Sequence, residues 1–160
     1  MKMTKKEFMR KENVKTERTV DKWVQKQLIP GVKTIESTGE LYFPPSARRP
    51  YFPPWNLKKD QDSIRGSIVK ACLKNTCFTH TTFAITEDEF NSYICQLMKA
   101  DLIESVIYDG IVYYNSTLQS SAWKQCTTAQ RNKYVLQALK TTSDVVAIVA
   151  NVFAVCGALS

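Results

Sequence analysis

The 160-residue chain is short of glycine, with five, and holds one histidine, His80. Neither a G-x-x-x-x-G-K-[ST] nor a G-x-G-x-x-G pattern occurs, so the two commonest phosphate-cradling loops are excluded. His80 has Cys77 nearby but no third residue to orient the pair, so the chain is expected not to be an enzyme and to need no cofactor. No apolar run reaches the roughly 18–20 residues of a membrane-spanning helix. The closest, residues 145–159, is shorter, contains Asn151 and reads as a buried or interface helix; no membrane partner is expected. The opening MKMTKKEFMRKE carries charge throughout and lacks the apolar stretch of a secretory signal. Five cysteines at irregular intervals then read as reduced thiols in a cytoplasm. Cys72-x4-Cys77-x2-His80, with Cys95 as a fourth group, matches no zinc knuckle, and Cys72 and Cys95 fall on apolar helix faces; no metal is expected.

What the chain does have is 44% apolar residues, enough for a globular core, and a net charge of +7. The charge is uneven. Residues 1–60 hold 14 Lys/Arg against 7 Asp/Glu, whereas residues 61–160 hold 8 against 8. An excess confined to one segment attracts polyanions, of which nucleic acid is the commonest.

Thr4 with Glu7 fits a capping box, predicting a helix to about residue 12. After a break at residues 13–15, Thr16 is placed to cap a second helix through Gln27, stopped by Pro30-Gly31. Two short helices so joined make a helix-turn-helix. Residues 32–43 follow as a β-hairpin around Ser37-Thr38-Gly39, in the position of a wing. Five of the six prolines crowd residues 44–54, marking a connector, and Tyr51, Phe52 and Trp55 read as the seam between halves. Residues 63–74 and 87–100 are helical in spacing, the second capped by Thr86 and Glu89; a hairpin around Asp109-Gly110 and a helix over residues 127–140 complete the pattern. The expected fold is mainly α with two small β-hairpins. The expected organisation is a winged helix-turn-helix over 1–50, a connector over 51–60, a second winged-helix-like module over 61–119 and C-terminal helices with an apolar tail over 120–160. In the second module Glu87, Asp88, Glu89 and Asp101 stand against Lys99 alone, a balance that phosphate would repel. That half is expected to meet a protein partner or a second copy.

The second helix carries the candidate site. Arg18, Lys22 and Lys26 recur every fourth residue and share one face, with Gln25 and Thr19 beside them and Lys15 just before; Val20, Trp23, Val24 and Leu28 form the opposite, anchoring face. Arg and Lys neutralise phosphate, while Arg and Gln also bond base edges in a bidentate manner. Glu17 and Asp21 lie near the stripe and weaken it.

Read as N-V-x-x-x-x-T-V-x-x-W-V-x-x-x-L-I-P, residues Asn13 to Pro30 resemble the winged helix-turn-helix of MerR-type regulators and of phage or transposon excisionases. The resemblance covers residues 4–50. It implies binding of double-stranded DNA through Arg18, Thr19 and Lys22 on the helix, Lys33, Thr34 and Thr38 on the wing, and Arg48 and Arg49 after it. It further implies a transcriptional regulator or excision factor, bacterial and nucleoid-associated. Two departures stand out: Gln27 occupies the place of a glycine before Leu-Ile-Pro, and the long dimerisation helix of MerR-type regulators has no counterpart. A protein-interaction module with an incidental basic face is the alternative.

Overall fold

In the computed structural model, which describes residues 2–108 and 110–140, Thr4 caps the first helix as its spacing predicts. Its hydroxyl accepts from the Glu7 N–H at 3.3 Å while the Glu7 carboxylate accepts from the Thr4 N–H at 2.7 Å. The elements of the first half are β1 (Met3–Thr4), α1 (Lys5–Lys11), α2 (Glu17–Gln25), β2 (Lys33–Thr34) and β3 (Leu41–Phe43). Those of the second are α3 (Gln61–Leu73), a 3-10 turn (His80–Phe83), α4 (Glu87–Lys99), β4 (Ile103–Tyr108), β5 (Ile111–Ser116), α5 (Leu118–Lys124) and α6 (Thr128–Lys140). The described chain is mainly helical with two small antiparallel sheets, as expected.

Four helix ends show how a glycine-poor chain stops a helix. Asn13, Gln27, Asn75 and Asp101 follow α1 to α4 with φ of 54°, 56°, 56° and 56°, a left-handed conformation in which glycine is the usual occupant. The next N–H then reaches back five residues: Val14 to Met9 O (2.8 Å), Leu28 to Trp23 O (3.0 Å), Thr76 to Ala71 O (3.2 Å) and Leu102 to Leu97 O (3.0 Å). So α2 ends at Gln25, two residues earlier than its spacing predicts, and the Gln27 departure is accommodated by the conformation a glycine would take. Thr16 is the N-cap, yet its side chain makes no cap bond; its hydroxyl instead lies 2.7 Å from that of Thr19.

The first half builds its own core. Phe8 of α1 stacks on Phe43 of β3, centroids 4.5 Å apart, and Val20, Ile29 and Ala47 close around them. Burying each such aromatic or branched side chain contributes about 1.5–3 kcal/mol. The expected hairpin gains a third strand, since β3 is central, with Met3 opposite Phe43 on one side and Lys33 opposite Tyr42 on the other. Two-residue β1 was not legible locally; only its pairing with β3 defines it.

The second core gathers α3, α4, α5 and α6 around Ile64, Ile68, Phe83, Leu97 and Leu102. Helix α5, capped by Thr117 through the Ser120 N–H, lies where no helix was predicted. The two cores are joined rather than tethered. Pro50 and Cys77 form a parallel bridge, with Tyr51 N–H to Cys77 O at 2.9 Å and Cys77 N–H to Arg49 O at 3.0 Å. Cys77 is packed in the first core, its thiol 2.9 Å from Arg48 O. Gly31, at φ 80°, lies so close to Ile111 and Pro44 that an added Cβ would stand 2.8 and 2.9 Å from them. Of the expected seam aromatics, Tyr51 is buried. Phe52 leans on Trp23 at 6.1 Å but stays 58% exposed, and Trp55 is 96% exposed, so Trp55 is no part of the seam.

Among the described residues no helix is long and apolar enough to cross a membrane. The apolar tail and Asp109 of the second hairpin lie outside the described residues.

Candidate nucleic-acid interface

On α2 the turn of the helix separates three kinds of residue. Val20 faces the core with no exposure, Trp23 and Val24 are half-buried beside it, and Arg18, Lys22 and Gln25 are exposed on the far side. Lys26, exposed, is the C-cap residue, so the third cation sits at the helix end rather than within it. Lys15 is exposed in the turn before the helix, and Thr19 is half-buried, its hydroxyl engaged with Thr16.

The acidic neighbours of the stripe are held elsewhere. Lys5, in the first turn of α1, places Nζ 2.7 Å from Asp21 Oδ1 and 3.6 Å from Glu17 Oε2. The Asp21 hydrogen bond, reinforced by the charges of Asp21 and Glu17, holds the Lys5 ammonium above the ordinary lysine range. Among the described residues Arg18, Lys22 and Lys26 have no ion-pair partner. Lys5 is the residue beside this face that the sequence alone does not reveal. Its first-turn position is visible, but its reach to α2 is tertiary.

Between the start of α1, the Asp21 flank of α2 and the β2–β3 hairpin lies an open cleft of about 780 Å³. Gln25 lines it from the helix, Thr34 and Thr38 from the hairpin, and Lys5 and Lys6 from α1; Asp21 and Glu40 add carboxylates. The hairpin tip is fixed by Gly39 at φ 71°, by the Ile35 N–H to Glu40 O bond at 2.8 Å and by the Gly39 N–H to Ile35 O bond at 2.7 Å. Lys33 is exposed on β2. The structure thus brings Gln25, Thr34 and Thr38 to one cleft and leaves Arg18 and Lys22 on the open face next to it.

Arg48 and Arg49 are placed differently. Half-buried Arg48 donates from Nη1 to Tyr114 O at 3.4 Å and from Nη2 to Asn115 Oδ1 at 2.6 Å, pinning the β4–β5 hairpin to the first half. Arg49 donates from Nη2 to Glu12 O at 2.8 Å and to Asn13 O at 3.3 Å, satisfying carbonyls at the end of α1. Both guanidiniums, expected to contact phosphate, bond backbone carbonyls and one side-chain amide here, because the chain after β3 turns back against α1 and β5.

The cysteine and histidine group is dispersed as well. Cys72 is in the second core, Cys77 in the first, and Cys95 is exposed rather than on the buried face of α4; His80 Nδ1 lies 3.1 Å from Ile85 O. Burial pushes the Cys72 and Cys77 thiols up to about 12, well away from the reactive thiolate. Cys72, Cys77 and Cys95 are free. Among the described residues no three His, Cys, Asp or Glu side chains converge as a metal site would require. No known protein family, curated protein or solved structure matches the chain.

Proposed function

We propose that the chain is a non-enzymatic, double-stranded DNA-binding protein whose first half acts as a winged helix-turn-helix, with α2 lying in the major groove and β2–β3 as the wing. One observation carries this reading: Arg18 and Lys22 are exposed on α2 with no ion-pair partner among the described residues, while Lys5 draws Asp21 and Glu17 aside. Without Lys5, α2 would present two anions beside two cations, and its attraction for phosphate would largely cancel. With Lys5 in place, the outward face is net positive, and the major groove, about 12 Å wide, admits a helix of this kind.

Gln25, Thr34 and Thr38 around the cleft supply neutral donors and acceptors suited to base edges or sugar, and the exposed Lys33 and Lys15 supply phosphate contacts. The exposed Glu87, Asp88 and Glu89 at the start of α4 are repelled by the same polyanion, so the second half faces away from it. A regulator and an excision-type accessory factor use the same readout, and both fit this surface. The reading is tested by fluorescence anisotropy with a labelled duplex. Arg18→Ala combined with Lys22→Ala weakens binding at least tenfold; equal affinity for the wild type and the double variant rejects it.

A further inference from the structure

The β4–β5 hairpin has one guarded edge and one open one. On β5, Arg48 donates to Tyr114 O, so that carbonyl points away from β4. Tyr114 stands opposite Ser105, and Val112 opposite Ile107. In an antiparallel ladder, residues whose backbone groups point outward alternate with residues that bond across the pair. Ser105 and Ile107 therefore direct their N–H and C=O groups to the outer edge of β4. Among the described residues no strand pairs with that edge. Ser105 is exposed, Ile107 is 66% exposed, and Val112 beside it is 41% exposed. Natural edge strands are usually protected by lysine, proline or a bulge. The strands IESVIY and IVYYNS contain no Lys, Arg or Pro.

We propose that this edge is where a second copy of the chain docks, the two β4 strands pairing antiparallel about a twofold axis at Val106 to make one four-stranded sheet. The register is self-complementary. It sets Ser105 opposite Ile107 of the second copy, and the outward groups of each meet those of the other in reciprocal hydrogen bonds. Ile107 lies diagonal to its own mate, about 7–8 Å away, close enough for the two side chains to shield each other from water. Glu104 faces Tyr108 of the second copy and stands about 13 Å along the strand from the other Glu104, so no like charges confront each other. The charge distribution favours a second copy here over contact elsewhere. All of the +7 excess lies in residues 1–60, and residues 61–160 are balanced, so two copies approach through the neutral half with their basic halves apart. This pairing does not depend on the DNA reading.

Sedimentation equilibrium of the full chain, from about 10 µM to about 500 µM, is the test, because dimer population must rise with concentration. The expected result is a reversible dimer with a Kd of roughly 10–100 µM, in keeping with a small interface. Ile107→Lys raises that Kd at least tenfold, whereas Leu118→Lys, at an 86% exposed position outside the hairpin, leaves it unchanged. Amide exchange on the unmodified chain gives an independent readout: the Ser105 and Ile107 amides slow as concentration rises. A wild type that stays monomeric at the highest concentration, an Ile107→Lys variant that dimerises as well as wild type, or exchange at Ser105 and Ile107 that ignores concentration overturns the proposal.

Discussion

Lys5 Nζ stands 2.7 Å from Asp21 Oδ1, and through that contact α1 determines the sign of the face that α2 turns outward. The pair is partly exposed, so its direct effect on stability is under about 1 kcal/mol. Its larger effect is on the surface field. Lys5→Ala is expected to weaken duplex binding by roughly three- to tenfold at low salt, since one cation is lost and two carboxylates are released toward phosphate. Adding Asp21→Ala to that variant recovers most of the loss. Titrations of the single and double variants check this; a double variant no better than Lys5→Ala would contradict it.

Arg48 links the halves, and its removal is expected to act on folding. Arg48→Ala leaves Tyr114 O and Asn115 without their donor and costs about 1–3 kcal/mol, read as a lower urea midpoint. The exposed Arg49 makes a smaller contribution, and Arg49→Ala costs less than Arg48→Ala. Neither variant changes how binding depends on salt. A weaker salt dependence in Arg48→Ala would instead mark it as a phosphate contact.

Gln27 holds a left-handed backbone at φ 56° for the sake of the α2 terminus. Gln27→Gly relieves the steric cost of a side chain there and is expected to raise stability by about 0.5–1 kcal/mol. Gln27→Val, β-branched in the same conformation, lowers it. Thermal melts of the two variants should move in opposite directions.

Much of this architecture is readable locally. The Thr4/Glu7 box, the Thr86 cap that accepts from the Glu89 N–H at 3.1 Å and the apolar spacing of α3 and α4 are short-range signals, and the structure keeps them except at Cys95 and Met98, which are exposed on α4. The amphipathic division of α2 was equally visible, since 3.6-residue periodicity alone separates Val20 from Arg18 and Lys22. What escaped depends on distant partners. Nothing near Lys5 indicates that it reaches Asp21, and nothing in Ala-Arg-Arg-Pro indicates that both arginines serve carbonyls. A C-x4-C-x2-H spacing likewise gives no sign that its two cysteines enter different cores. Helix α5 was missed because it is seven residues long and opens on Thr117 and Ser120, a weaker cap pattern than those with glutamate.

The buried thiols make stability fall at alkaline pH. Burial pushes Cys72 and Cys77 up to about 12, whereas an unfolded thiol titrates near about 8.5. Above the unfolded value the unfolded chain loses protons that the folded chain keeps, so stability present below about pH 8 declines as pH rises toward the folded value. Each thiol contributes up to about 1.4 kcal/mol per pH unit in that window. Urea midpoints at pH 7.5 and 9.5 should differ in this direction, and Cys72→Ala should flatten the difference. Equal midpoints would show that the thiols ionise freely in the folded protein.

The most direct test of the account is the salt dependence of duplex binding. Log Kobs plotted against log salt should fall linearly with a slope of about −3 or steeper, because each neutralised phosphate contributes about −0.9, and Arg18→Ala should make the slope shallower by about that amount. A flat plot, or an Arg18→Ala slope equal to that of the wild type, would contradict the claim that the outer face of α2 meets the DNA backbone.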